Sequence, residues 1–288
     1  MSQQEYTAQI RGQIKNANLI DAEATKTAIK ALTEAHNDLI RQIAMLPTDA
    51  EGKVTYSRYQ LEQLKLAVER AMDEFQRIFD QETKAAMGVQ FDKGSAQVDG
   101  MLKAAIGVQP ALMLLPRHNL LIAQNYTAGL VTNLSTSAKT KLNAVLRRSA
   151  LGGQTVDSIM RQIGKSIGDG EVGKISRRAQ TIYRTEVARM GHMAAQARME
   201  EAATRVKGLE HQWVHVGGSL HPRSYHEAIH GMHVPVHETF PGSGPNGEDL
   251  LFPTDPIGAV EDTVNCLCDT VAWTPFMEKF APLLGSKV

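Results

Sequence analysis

The chain has few cysteines, few aromatics and no net charge. Only two cysteines occur in 288 residues, Cys266 and Cys268. A disulfide across a single intervening residue closes a tiny, strained ring, so this is no disulfide scaffold. Two thiols so spaced are placed to hold a metal or simply to pack. Aromatic residues make up 5% of the chain, which leaves a mainly aliphatic core. No apolar run reaches the roughly 18 residues of a membrane-spanning helix. The polar start, Met1-Ser-Gln-Gln-Glu-Tyr6, lacks a basic-then-apolar leader. The expectation is a protein that stays in the cytoplasm in which it is made, with no membrane partner. Charged residues are 22% and hydrophobic residues 42%, a globular balance in a length that suits one large domain or two ordinary ones.

The zero net charge hides an uneven distribution. Lys and Arg number 14 against 15 Asp and Glu in residues 1–138, 14 against 6 in 139–207, and 3 against 10 in 208–288. A basic middle beside an acidic end fits two segments that pair with each other. It also fits a basic face that meets DNA or an acidic partner.

What is abundant is helical periodicity. Ile10, Ile14, Ala17, Ala24, Ala28, Leu32, Leu39 and Ile43 recur at helical steps. Pro47-Thr-Asp-Ala-Glu-Gly52 breaks the pattern. Ser57 and Gln60 form a capping-box pair ahead of a second helix with an apolar stripe of Leu61, Leu64, Val68, Met72, Phe75 and Phe79. The two helices predict a long hairpin. The apolar stripe exceeds what a two-helix hairpin needs, so Leu61, Leu64, Val68, Met72 and Phe75 are the expected contact for a partner.

Glycines, Pro110 and Pro116 predict a broken helix or connection over 88–116. Helix returns from Leu120 to Leu151, Gly152-Gly153 stops it, and Thr155 caps a short helix to Ile163. The Gly164–Gly173 loop lacks the preceding strand and Lys-Ser/Thr ending of a phosphate-binding loop. A long helix follows, from about Lys174 to Val206, with a Glu186–Arg189 pair on it. After Gly208 short strand-like runs appear at His211–Val216, Met232–Val236, Leu250–Phe252 and Thr270–Trp273, with a short helix over Arg223–His230. Pro275–Leu284 can form one more helix. The expected fold is mainly α with a small C-terminal α+β unit and a long N-terminal helical hairpin. The expected divisions are an elongated arm over 1–116, a basic helical middle over 117–207, and a His/Cys-containing unit over 208–288.

Seven of the ten histidines fall in 27 residues: His211, His215, His221, His226, His230, His233 and His237. Thiolates and imidazoles together suit zinc. Cys266, Cys268 and His226, with one more His or Asp, are the candidate ligands of a structural zinc ion; buried, hydrogen-bonded thiols and histidines are the plainer alternative. His226-Glu-Ala-Ile-His230 has the outline of a zinc-protease motif, with Glu227 as base. Pro222 and Gly231 leave that helix barely two turns. A nuclease hairpin built on His, Asn265 and Cys cannot be laid convincingly on this order of residues.

Arg178-Ala179-Gln180-Thr181-Ile182-Tyr183-Arg184-Thr185-Glu186 is followed by Trp213, Arg223 with His226, Gly231, Pro235, Pro253-Thr-Asp255-Pro256 and Asn265-Cys-Leu-Cys268. In order and spacing this resembles the phage Mu F-like family of head morphogenesis proteins over roughly residues 145–273. Leu267 stands where that family usually has arginine. The resemblance implies a minor capsid protein, located in the virion head near the portal. Its partners would be the portal protein or capsid proteins, with packaged DNA close by, and its task would be to assist assembly and DNA packaging or delivery. It implies no catalytic residue. The expectation is a structural protein, with a metal-dependent hydrolase or nuclease at the His/Cys cluster as the alternative. A toxin-like transferase has little chain left after Trp273 to occupy.

Overall fold

The computed structural model describes residues 21–106, 112–166, 168–215 and 222–275. Five longer helices precede a small sheet: α1 (Asp21–Ala44), α2 (Arg58–Ile106), α3 (His118–Gly152), α4 (Val156–Ile163) and α5 (Gly170–Ala203). Then come β1 (Glu210–Val214), α6 (Ser224–Ala228), β2 (His233–Pro235), α7 (Val260–Thr263) and β3 (Asp269–Trp273). The mainly α architecture with a C-terminal α+β element and long N-terminal helices is as the periodicity predicts. The early part of the first periodic stripe, Ile10 to Ala17, lies outside the described residues, as do His221 and the expected helix beyond Pro275.

Local chemistry explains the helix ends. The amide of Ser57 donates to Gln60 Oε1 at 2.9 Å and the amide of Gln60 donates to Ser57 Oγ at 3.1 Å, the reciprocal capping box that starts α2. Thr155 Oγ1 accepts from the Ser158 amide and caps α4. Gly153 takes a positive φ of 56° just after α3, a conformation that costs glycine little.

Two compact units form, each discontinuous in sequence. One comprises Ala22–Lys84 and Gln124–Tyr183. Its core holds Leu32, Leu39 and Ile43 of α1, Leu64, Val68, Met72, Phe75 and Phe79 of α2, and Val131, Leu142 and Leu146 of α3. Phe75 and Phe79 stack with centroids 5.5 Å apart. Ser135 Oγ donates to the Met72 carbonyl at 3.0 Å, and His36 Nε2 lies 2.7 Å from the Gly164 carbonyl. The stripe expected to receive a partner is therefore consumed within the chain: Leu64, Val68, Met72 and Phe75 are at most 3% exposed and Leu61 is half-buried. A two-helix hairpin would have left that stripe open; α3 contributes to the same core and removes the need for another protein.

The second unit comprises Ala85–Ala123 and the described part of Arg184–Val288. Its sheet has the order β2-β1-β3, antiparallel throughout, with His211 opposite Val234 and Ala272, and Val214 opposite Asp269. Alternate strand residues face opposite sides, and both sides are buried. Val214, Val271 and Trp273 join Val98, Met101 and Leu102 of α2 and Ala195 and Met199 of α5. Trp213 and Val234 join Ile229, Phe240, Leu250, Cys266 and Cys268. Leu250–Phe252, expected as a strand, makes only an isolated bridge between Leu250 and Phe240.

The expected broken helix or connection over 88–116 is corrected in its first part, because α2 runs unbroken to Ile106, while residues 112–116 form a non-helical connection to α3. Its glycines serve packing instead. A Cβ on Gly94 would sit 2.2 Å from the Gly191 carbonyl oxygen, and one on Gly191 would sit 2.8 Å from Gln90 Nε2. Facing glycines let α2 and α5 approach more closely than any side chain allows. Gly94→Ala should therefore lower unfolding stability by about 1–3 kcal/mol through overpacking, read by denaturant unfolding. Gly129, whose added Cβ would meet nothing within 4 Å, is the control: Gly129→Ala should be neutral or stabilising.

Candidate metal centre

Three chain segments meet at Cys266 and Cys268. β1 supplies Trp213, α6 supplies His226, and the turn between α7 and β3 supplies both thiols. That turn requires Asn265 in the left-handed region, at φ 54°, which asparagine tolerates better than most residues. The Asn265 amide donates to Thr185 Oγ1 at 3.3 Å. Arg223, at the N-terminus of α6, donates from Nε to the Glu261 carbonyl at 2.6 Å and from an Nη to the Val264 carbonyl at 2.8 Å. One guanidinium thus joins the helix bearing His226 to the turn bearing the cysteines.

The ligand atoms of His226, Cys266 and Cys268 all lie within 4.8 Å of one another, and the three residues are at most 5% exposed. His226 Nδ1 is 3.6 Å from Cys266 Sγ and 3.7 Å from Cys268 Sγ. Zinc bonds of about 2.3 Å to sulfur and 2.05 Å to nitrogen at a tetrahedral angle put N and S about 3.6 Å apart. The spacing therefore fits a four-coordinate metal. His226 Nε2 lies 3.0 Å from the Ser243 carbonyl and donates its proton there. That bond leaves Nδ1 with its lone pair toward the thiols, the tautomer a metal needs. Trp213 and Tyr225 hold the imidazole from two sides, both with centroids 4.9 Å away. Tyr225 in turn donates to Asp262 Oδ1 at 2.6 Å, and burial with that carboxylate pushes its pKa up to about 12.

The thiols do not titrate alike. Hydrogen bonding from Cys268 holds Cys266 well below the usual thiol range against the opposing effect of burial. Cys268 is driven upward, first as the donor to Cys266 and then by burial. Two close sulfurs thus oppose each other's ionisation, and a cation between them would relieve that opposition.

The other histidines separate by role. His211 Nε2 meets the Glu238 carbonyl at 2.9 Å and Nδ1 meets Gln196 Oε1 at 3.1 Å; burial pushes its pKa down to about 4. His233 stacks on Trp273 at 3.8 Å and bonds Glu210. His230 lies beyond the end of α6, and its Nδ1 accepts from the His215 amide at 3.0 Å. His226 and His230 are thus not paired on one long helix as a zinc protease requires. His215 Nδ1 is 3.5 Å from Cys268 Sγ. The residue pattern named it only as one of seven; its spacing of two from Trp213, which puts both on one side of a strand, was the available signal.

The remaining motif residues brace this unit or lie away from it. Glu186 and Arg189 form a buried pair at 2.6 Å, and Arg189 Nε donates to the Thr254 carbonyl at 2.8 Å. Asp255 accepts from the amides of Leu251 and Ile257, both at 3.0 Å. Gly231 has a φ of 84°, and its amide donates to the Trp213 carbonyl at 2.8 Å. Two residues the pattern did not single out, His192 and Asp269, lie 3.7 Å apart beside the same turn, with His192 Nδ1 2.7 Å from the Pro253 carbonyl. Arg184 is exposed on α5. Arg178 belongs to the other unit, where it lines an open groove with Lys141 and Lys174.

This arrangement defines a helix-supported α+β domain gathered around a buried His/Cys cluster. Residues 140–271, somewhat under half of the chain, match the family described as Phage Mu protein F like protein. The matched stretch contains the whole His226, Cys266 and Cys268 cluster, so the similarity to the phage Mu F-like family extends over the candidate site. No curated protein and no solved structure matches the chain.

Arg223→Lys keeps the charge but cannot reach both carbonyls with one planar fork. It should lower unfolding stability by about 1 kcal/mol, because only the Val264 carbonyl is half-buried while that of Glu261 can turn to water. Denaturant unfolding at an unchanged m-value measures it.

Proposed function

We propose that this protein is a minor capsid protein of a tailed phage. It binds the portal or the inner capsid surface in few copies and assists head assembly and DNA packaging or delivery. The family match over residues 140–271 carries this reading. The roles of the motif residues support it: Thr185, Arg223 and Asn265 hold backbone, and none of them stands as an acid or base in an open cleft. The groove of Lys141, Lys174 and Arg178 offers positive charge to a nucleic-acid phosphate. Among the described residues no helix is long and apolar enough to cross a membrane.

In this reading the metal is zinc and its role is structural. His226, Cys266 and Cys268 would hold it, and binding would supply folding energy to a small unit whose own core is divided between two faces of a three-stranded sheet. Catalysis needs an open coordination position within reach of substrate, and ligands at most 5% exposed argue for a closed site.

Two experiments test these claims. The full chain, co-expressed with the portal protein of the same phage, should copurify with it and be present in purified heads. Heads that lack it would refute the virion reading. Purified protein should contain about one zinc per chain, and Cys266→Ser should abolish the metal and lower the melting temperature. Metal-free protein with the stability of Cys266→Ser would leave plain packing of the thiols.

A further inference from the structure

We propose that His215 is the fourth ligand of the metal site, which makes it a closed centre of two cysteines and two histidines. This rests on the zinc reading above. The ligand atoms of His226, Cys266 and Cys268 lie within 4.8 Å of one another, and a four-coordinate zinc held by these three would leave one corner of its tetrahedron to fill. His215 Nδ1 already stands 3.5 Å from Cys268 Sγ, close to the ~3.6 Å edge of a zinc tetrahedron with mixed sulfur and nitrogen ligands.

The backbone places His215 there for a reason. It directly follows β1, two residues after Trp213, so strand alternation carries both side chains to the same face. Trp213 packs on His226, and that face is the one bearing Phe240, Cys266 and Cys268. The His215 amide donates to His230 Nδ1 at 3.0 Å, which anchors the chain as it leaves the strand. His230 spends that nitrogen on the anchor, and His211 and His233 are engaged elsewhere.

His215 stands outside the set of atoms lying within 4.8 Å of one another. Closing the tetrahedron therefore takes a rotation of its imidazole, with β1 staying in place. Half-buried, the ring has room for that rotation. The closed site would tie together the end of β1, α6 and the turn before β3, segments whose separation in sequence makes them costly to hold by packing alone.

Cobalt(II) and zinc titrations of the full chain test the assignment. The wild type should give the visible bands and thiolate charge-transfer absorption of a four-coordinate site. Loss of a second-shell partner commonly costs 10–100-fold in affinity, so His215→Ala should weaken binding by about 100-fold or more and alter the bands. His215→Cys should restore four-coordination with added thiolate charge-transfer intensity, which also guards against a folding defect in the alanine variant. His221→Ala should behave as wild type. His215→Ala with wild-type affinity and spectrum, or loss of metal in His221→Ala instead, overturns the assignment while leaving the zinc reading intact. A wild-type chain that binds neither cobalt nor zinc overturns both.

Discussion

Two buried thiols and one imidazole, brought together from segments distant in sequence, are the constraint around which the C-terminal unit is arranged. A thiolate in a dry environment is costly without a compensating charge or donors. Here Cys268 donates to Cys266, and the His226 ring presents Nδ1 to both sulfurs at 3.6 and 3.7 Å. The ring can do so only because Ser243 takes the proton on its other nitrogen. The thiols can face it only because Asn265 turns the chain through a left-handed conformation.

That turn explains why a motif scattered over some ninety residues reads as one structure. Thr185 reaches the amide of Asn265, Arg223 reaches the carbonyls of Glu261 and Val264, and Asp255 closes the preceding loop. Arg189, paired with Glu186, extends to the Thr254 carbonyl. Burial raises the pKa of Glu186 against the effect of that arginine, so the pair serves placement of the loop more than net stability. The side chains of Thr185, Arg223 and Asp255 each bond to backbone, and so fix the path of the loops around the thiols.

Within this unit, the helices give the sheet its support. α2 and α5 meet through Gly94 and Gly191, and Arg198 on α5 holds Asp99 on α2 through two bonds of 2.7 and 2.8 Å. Their apolar faces then receive one side of the sheet, leaving the other side for Trp213 and the thiols. In the other unit the apolar stripe of α2 is satisfied internally. That stripe is therefore core, and it is not a surface open to another protein.

The sequence alone determined the mainly helical class, the capping box at Ser57, the Thr155 cap, the Glu186–Arg189 pair and the resemblance to the phage Mu F-like family, because each is a local pattern or an ordered set of motifs. It also pointed to His226, Cys266 and Cys268, since few residue types ligate zinc. It did not show that α2 continues through its glycines. Glycine breaks a helix by default, and only the tight approach of α5 reverses that preference. It could not show that Leu64, Val68, Met72 and Phe75 are covered, because amphipathicity reports that a face wants burial and not what buries it. Nor could it choose among seven histidines. Which imidazole faces a thiol depends on strand register and on the path of a turn, and those were decided only when β1, α6 and the Cys266–Cys268 turn packed together.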